Sequence, residues 1–173
     1  MAEKGYEMIA VDQSVEMLME AQSKCSDALI HPLFLCQDAG ELDLYGTVDA
    51  AICSLDGVNY MESETLSECF RRLNLFIRPG GLFIFDIRTP EILKSLDGQI
   101  FVDEKDDVLC LWRADYDEEM PGIVYGMDIF SKRGRLWDRE SEEHVEYSFE
   151  PEFLEALLQR SGFTDVKFHP DCP

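Results

Sequence analysis

Hydrophobic residues in the first half of this chain fall in short runs that stop at acids, glycines or prolines, with helical spacing between them. Tyr6–Val11 reads as a strand closed by Asp12. Ser14 then caps a helix in which Val15, Leu18 and Met19 recur at helical spacing. Leu33–Cys36 is a short apolar strand closed by Gln37, Asp38 and Ala39, and Val48–Cys53 is another, set between Gly46 and Gly57. Such near-continuous apolar runs predict strands buried on both faces. Ser63 is the expected cap of a helix to about Ile77, with Leu66, Phe70, Leu73 and Ile77 on one face. Pro79-Gly80-Gly81 is expected to stop it, Leu82–Ile87 to form a further buried strand, and Thr89-Pro90 to start a short helix. The order β-α-β-β-α-β predicts an α/β fold with a mainly parallel sheet.

From residue 99 to 149 the pattern changes. Val108–Trp112, Ile123–Phe130 and His144–Phe149 alternate and are separated by acidic or glycine-containing turns, which predicts an antiparallel β insertion. Pro151–Arg160 returns to helical spacing, Gly162 ends it, and Val166–Phe168 is expected to be a last strand. With 173 residues, 46% of them hydrophobic, the expectation is one domain over 1–173 with the insertion inside it. No apolar run approaches the roughly 18 residues of a membrane span, and no leader pattern opens the chain, so a cytoplasmic location is expected.

Charge narrows the partners. Fifteen basic residues against 36 acidic ones give a net charge of -21, which repels phosphate backbones and anionic membranes and disfavours both as partners. The acids crowd into 103–107, 115–119 and 138–146, where solvated turns and strand faces account for them better than a calcium site or a rim for cationic substrates. The six cysteines, at 25, 36, 53, 69, 110 and 172, show no C-x-x-C pair and no histidine at zinc spacing, so no metal is expected. They read as reduced thiols, with Cys36 and Cys53 packed in the core. Asp12 has a further reading beside that of helix cap: an acid ending the second strand of a doubly wound sheet accepts hydrogen bonds from a ribose.

Taken together, IAVDQS, FLCQDAGEL, VDAAICSLDGVNYM, FRRLNLFIRPGGLFIFDI and EFLEALLQRSGFTDVKF resemble the class I S-adenosylmethionine-dependent methyltransferases, in particular the small-molecule type with a β insertion. The resemblance implies a Rossmann-like sheet and S-adenosylmethionine as cofactor. Asp12 would then hold the ribose, and Asp38 with the Ala39 amide would read the adenine edge, one acceptor beside one donor. Gln13 and Met17 would cover the adenine face, although a helical methionine is more often core. Cys53 and Ser54 would fall nearest the cofactor. Asp56, Asn59 and Tyr60 would orient a small-molecule acceptor, and Arg88 would bind an acceptor carboxylate or pair with one of the many acids. No catalytic residue is assigned, because a sulfonium methyl mainly needs alignment and exclusion of water. Of His31, His144 and His169, His144 is the strongest of three weak candidates for a base.

The sequence also departs from that family. Its G-x-G-x-G loop is absent, as are the first, central strand before it and the last antiparallel strand after Pro173, so weakened cofactor binding is expected. The explanations, in order of preference, are a truncated coding sequence, a fragment completed by another chain, and a rearranged non-catalytic descendant. A homodimer or a completing partner chain is left open. The rival reading is a non-catalytic interaction module docking through Leu111, Trp112, Tyr125, Ile129, Phe130 and Trp137. A nucleotide-dependent oxidoreductase or epimerase ranks below both, because RPGGLFIFDI and the insertion match it less well.

Overall fold

The computed structural model describes residues 1–169; Cys172 and the stretch 170–173, where the sequence reading placed the chain end, lie outside them. The α/β order is the expected one. β1 (Ile9–Asp12) turns through Ser14 into α1 (Val15–Asp27), the Ser14 hydroxyl accepting from the Met17 amide at 3.1 Å. Then come β2 (Leu33–Cys36), β3 (Val48–Cys53), α2 (Ser63–Phe76), β4 (Ile77–Phe85) and α3 (Pro90–Ser95). β1 pairs with β2 and β3 with β4, both in parallel, as two separate two-stranded sheets. β5 (Ile100–Lys105), β6 (Val108–Asp117), β7 (Gly122–Arg133) and β8 (Leu136–Tyr147) make one antiparallel sheet, and α4 (Pro151–Arg160) follows. No helix among the described residues is long and apolar enough to cross a membrane.

Several boundaries differ from expectation for local reasons. β1 starts at Ile9, and Tyr6 is exposed. Glu62 rather than Ser63 is the N-cap of α2, Ser63 being its first helical residue. Pro79-Gly80-Gly81 does not separate helix from strand: β4 leaves α2 directly at Ile77 and carries these residues across a register shift opposite Val48 and Ala50. Gly80 has φ 79° there, and a Cβ on Gly81 would lie 2.6 Å from the Asp49 carbonyl oxygen, so an ordinary residue would not fit. The insertion has four strands instead of three, because Ile100–Lys105 also pairs. Val166–Phe168 is not a strand among the described residues.

The core is built on one side of the β3–β4 pair. Phe70 of α2 lies edge-on to Phe83 and beside Phe85, and Leu66, Leu154, Leu157 and Leu158 close the cluster with Val58 and Phe149. A second, smaller cluster joins the insertion to α3 through Leu93, Ala114, Ile123 and Tyr125. The expected two-sided burial of the parallel strands does not occur. Ile52, Leu82 and Ile84 on one pair and Ile9, Val11 and Leu33 on the other are exposed, because nothing among the described residues covers those faces or joins the two pairs. Cys36, expected in the core, is exposed for the same reason. The insertion's aromatic and aliphatic residues do not form a single patch either. Side chains alternate along a strand, so Leu111, Phe130 and Trp137 share one face while Trp112, Tyr125 and Ile129 share the other, where Trp112 and Tyr125 pack beside Leu93.

Candidate functional site

The candidate residues gather at the C-terminal ends of the parallel strands, where open α/β sheets bind ligands. Asp12 is the last residue of β1, half-buried, and its Oδ1 accepts from the Ser14 amide at 2.8 Å. Asp12 thus fixes the turn before the Ser14 cap rather than capping α1 itself, and Oδ2 has no protein partner among the described residues. Gln13 is exposed, and its carbonyl accepts from the Cys36 thiol at 3.5 Å. Met17 is 62% exposed on a helix with no buried residue, so it is not a core methionine. Asp38 caps the 3-10 turn Ala39–Glu41, accepting from the Gly40 amide at 2.7 Å. That turn lies on α2, where a Cβ on Gly40 would meet the Thr65 methyl at 3.0 Å.

β3 ends in a strained loop. Leu55 and Asp56, neither of them glycine, take left-handed backbone at φ 59° and 52° in succession. Such residues persist where surrounding contacts over-determine them. Those contacts are visible. The Arg88 Nε is ion-paired with Asp56 at 2.6 Å, and the Asp56 carbonyl accepts from the Asn59 amide at 2.8 Å. Asn59 is buried, its side chain donating to the Arg88 and Tyr147 carbonyls at 3.1 and 2.9 Å and accepting from the Arg88 amide at 3.0 Å. It thus clamps the loops after β3 and β4 to β8, with its amide spent on backbone. Cys53 is half-buried against Gly57, and Ser54 is exposed beside it. Burial, then the charges of Asp86 and Asp56, push the Cys53 thiol up, so it stays a neutral thiol.

Arg88 also reaches into the insertion. Its Nη1 donates to the Tyr125 hydroxyl at 2.7 Å and to Glu146 at 3.1 Å. Glu146 is 1% exposed, lies near the Tyr60 and Tyr125 phenols, and has its carboxyl pushed above the usual range by burial, against the pull of Arg88. Burial, followed by the charges of Glu146 and Asp56, pushes the Tyr60 phenol up to about 12, so this half-exposed residue keeps its proton. His144 lies on the same face of β8 as Glu146, opposite Tyr125, and its Nε2 is 3.3 Å from Glu142. The sequence reading named Asp56, Asn59, Tyr60 and Arg88, which the fold brings together, but missed Glu146 and Tyr125. In the alternation of Val145, Tyr147 and Phe149 the sequence sets Glu146 on the polar side with Ser148, so it carries no signal of the burial of Glu146. No group of three or more His, Cys, Asp or Glu suited to a metal occurs among the described residues.

A family described as "Methyltransferase domain" matches residues 1–81. The chain is 30% identical over 167 residues to YqeM of Bacillus subtilis (strain 168), a protein named for an expected methyltransferase activity, covering 94% of this chain and 67% of that one. It superimposes on a solved S-adenosylmethionine-dependent methyltransferase from Clostridium acetobutylicum ATCC 824 with a TM-score of 0.80 and 30% identity, over 90% of this chain and 63% of that one. The sugar N-methyltransferase KedS8 from Streptoalloteichus sp ATCC 53650 shares the fold at a TM-score of 0.75 and 20% identity, over 89% of this chain and 62% of that one. The chain thus spans less than two thirds of these solved relatives' length.

Proposed function

The chain belongs to the S-adenosylmethionine-dependent methyltransferases, and from that premise we propose that it binds S-adenosylmethionine and serves methyl transfer to a small-molecule acceptor. The observation that carries this is the placing of two sets of groups at the same ends of the parallel strands. Asp12 and Asp38 end β1 and follow β2; Asp56, Tyr60 and Arg88 follow β3 and β4.

The adenosine half of the cofactor fits these residues. Asp12 has one carboxylate oxygen beyond its bond to the Ser14 amide for the ribose hydroxyls. Asp38 with the Ala39 amide offers the acceptor and donor an adenine edge requires, while Gln13 and Met17 stand exposed as apolar cover. Cys53 and Ser54 bound the far side. S-adenosylmethionine supplies an electrophilic methyl group on its sulfonium. The chain's own work is to hold an acceptor in line with it and to keep water out. Tyr60 and Arg88 present the acceptor side; Asn59 fixes the loop that carries them. Tyr60 keeps its proton at neutral pH and so is no base.

Two further expectations belong to this reading. β1 and β3 each have one unpaired edge among the described residues, which supports a second copy or another chain supplying a strand between them. The five described cysteines are free, which favours the reducing cytoplasm. The test is calorimetric titration of S-adenosylmethionine into the folded chain, with Asp12→Ala as control. Binding that the substitution weakens about tenfold or more supports the reading, since hydrogen bonds to a charged acceptor contribute about 1.5–3 kcal/mol. No binding by a folded chain overturns it for this polypeptide.

A further inference from the structure

The acceptor side has a charge balance that the sequence does not display. Arg88 uses Nε on Asp56 and Nη1 on Glu146 and Tyr125. A carboxylate recognised by arginine is held best by two parallel N–H groups, and here Nε and Nη1, one member of each such pair, already face Asp56 and Glu146. Two carboxylates face one guanidinium, so the cluster carries a net charge of one minus when both are ionised. What it shows outward is the half-exposed Tyr60 ring and the flank of Arg88, whose side chain is 39% exposed. A phenol face beside net negative charge suits a cation.

We propose that Glu146, supplied by the β insertion, is a specificity-determining residue that tunes the acceptor site to an amine and against a carboxylate. The inference rests on the methyl-transfer reading in taking this corner as the acceptor side. Glu146 does not touch the acceptor. It acts through the charge it adds to that of Asp56 and through its ion pair with Arg88, which in turn holds the Tyr125 hydroxyl. Tyr125, His144, Glu142 and Glu140 share its face of the sheet; His144, two residues away, is paired with Glu142.

Saturation-transfer NMR on the whole chain tests this with benzylamine, benzyl alcohol and benzoate, three probes of one shape and different charge. At about pH 8 benzylamine is a cation and benzoate an anion. The expected order is benzylamine, then benzyl alcohol, then benzoate, with the first favoured over the last by about tenfold, as one unbalanced charge at a half-exposed site predicts. Glu146→Gln should bring amine and carboxylate close to parity. Asp56→Asn, on a more accessible residue, should do the same and covers the case in which the buried substitution unfolds the chain. Benzoate binding as well as benzylamine, a preference unchanged in the folded variants, or no transfer to any probe would each overturn the proposal. Cofactor titration of the same samples separates the two readings. Cofactor binding without probe selectivity sinks only this inference, and selectivity without cofactor binding sinks only the methyl-transfer reading.

Discussion

Leu55 is a residue in the wrong conformation for its type: 83% exposed, left-handed at φ 59°, and followed by Asp56 in the same region. A branched side chain there crowds the following carbonyl, at a cost of about 1–2 kcal/mol that glycine avoids. Leu55→Gly should therefore raise stability by about 1 kcal/mol in urea unfolding, since it removes strain and no buried contact. Lower stability would mean that the Leu55 side chain holds something down. The neighbouring polar residues were partly legible in the sequence. Asp56, Asn59, Tyr60 and Arg88 lie in segments that follow strands, where chemistry gathers, whereas Glu146 was read with the solvated acids of 138–146. What sets it apart is depth, and depth depends on which face of β8 turns inward, a fact fixed by the register of Glu146 with Ile123.

Strands and helices were legible to different degrees. α4 runs from Pro151 to Arg160 as its apolar stripe and its proline required, and β2 and β3 also match their predicted limits. The start of β4 was not legible, because Pro79-Gly80-Gly81 signals a break in any local reading and only its pairing with β3 makes it a strand bulge. The insertion was under-read as well: β5 is exposed throughout, and its apolar residues Ile100–Val102 are consecutive and give way to Asp103–Lys105 without the alternation that marks a strand. One knot ties the next three strands of that sheet. Asp128 of β7 accepts from Ser141 of β8 at 2.6 Å, from Arg139 at 2.8 Å, and from Arg113 of β6 at 2.9 Å. These bonds, that of Ser141 first, hold its carboxyl down to about 2 against an ordinary 3.8. A lowered carboxylate stabilises the fold above its ordinary pKa and loses that effect as pH falls through the folded value. Acid titration of the wild type should thus show a loss of stability between about pH 4 and 2 that Asp128→Asn lacks, read by near-ultraviolet circular dichroism. Identical acid profiles would show that the knot adds no pH-dependent stability.

At the scale of the whole molecule, the α/β class and the later antiparallel sheet followed from the order of the apolar runs, and the placing of the site followed from the ends of the strands. The division of the parallel strands into two pairs is a tertiary fact: strand signals say that a segment wants partners, not how many it finds. That division leaves β1 and β3 with bare edges and apolar faces on a chain of net charge -21. Exposed edges of this kind invite other strands, and like charge is what keeps two such chains apart. The reach of that repulsion is set by salt, about 10 Å at 0.1 M and about 3 Å at 1 M. Light scattering should then find the chain dispersed in dilute buffer and associating as sodium chloride rises, the reverse of a protein glued by ion pairs; scattering flat across that range would mean that the edges are not sticky. The same balance makes ionic strength a handle on the molecule: its colloidal state is governed less by how well it is folded than by how far its own charge can be felt.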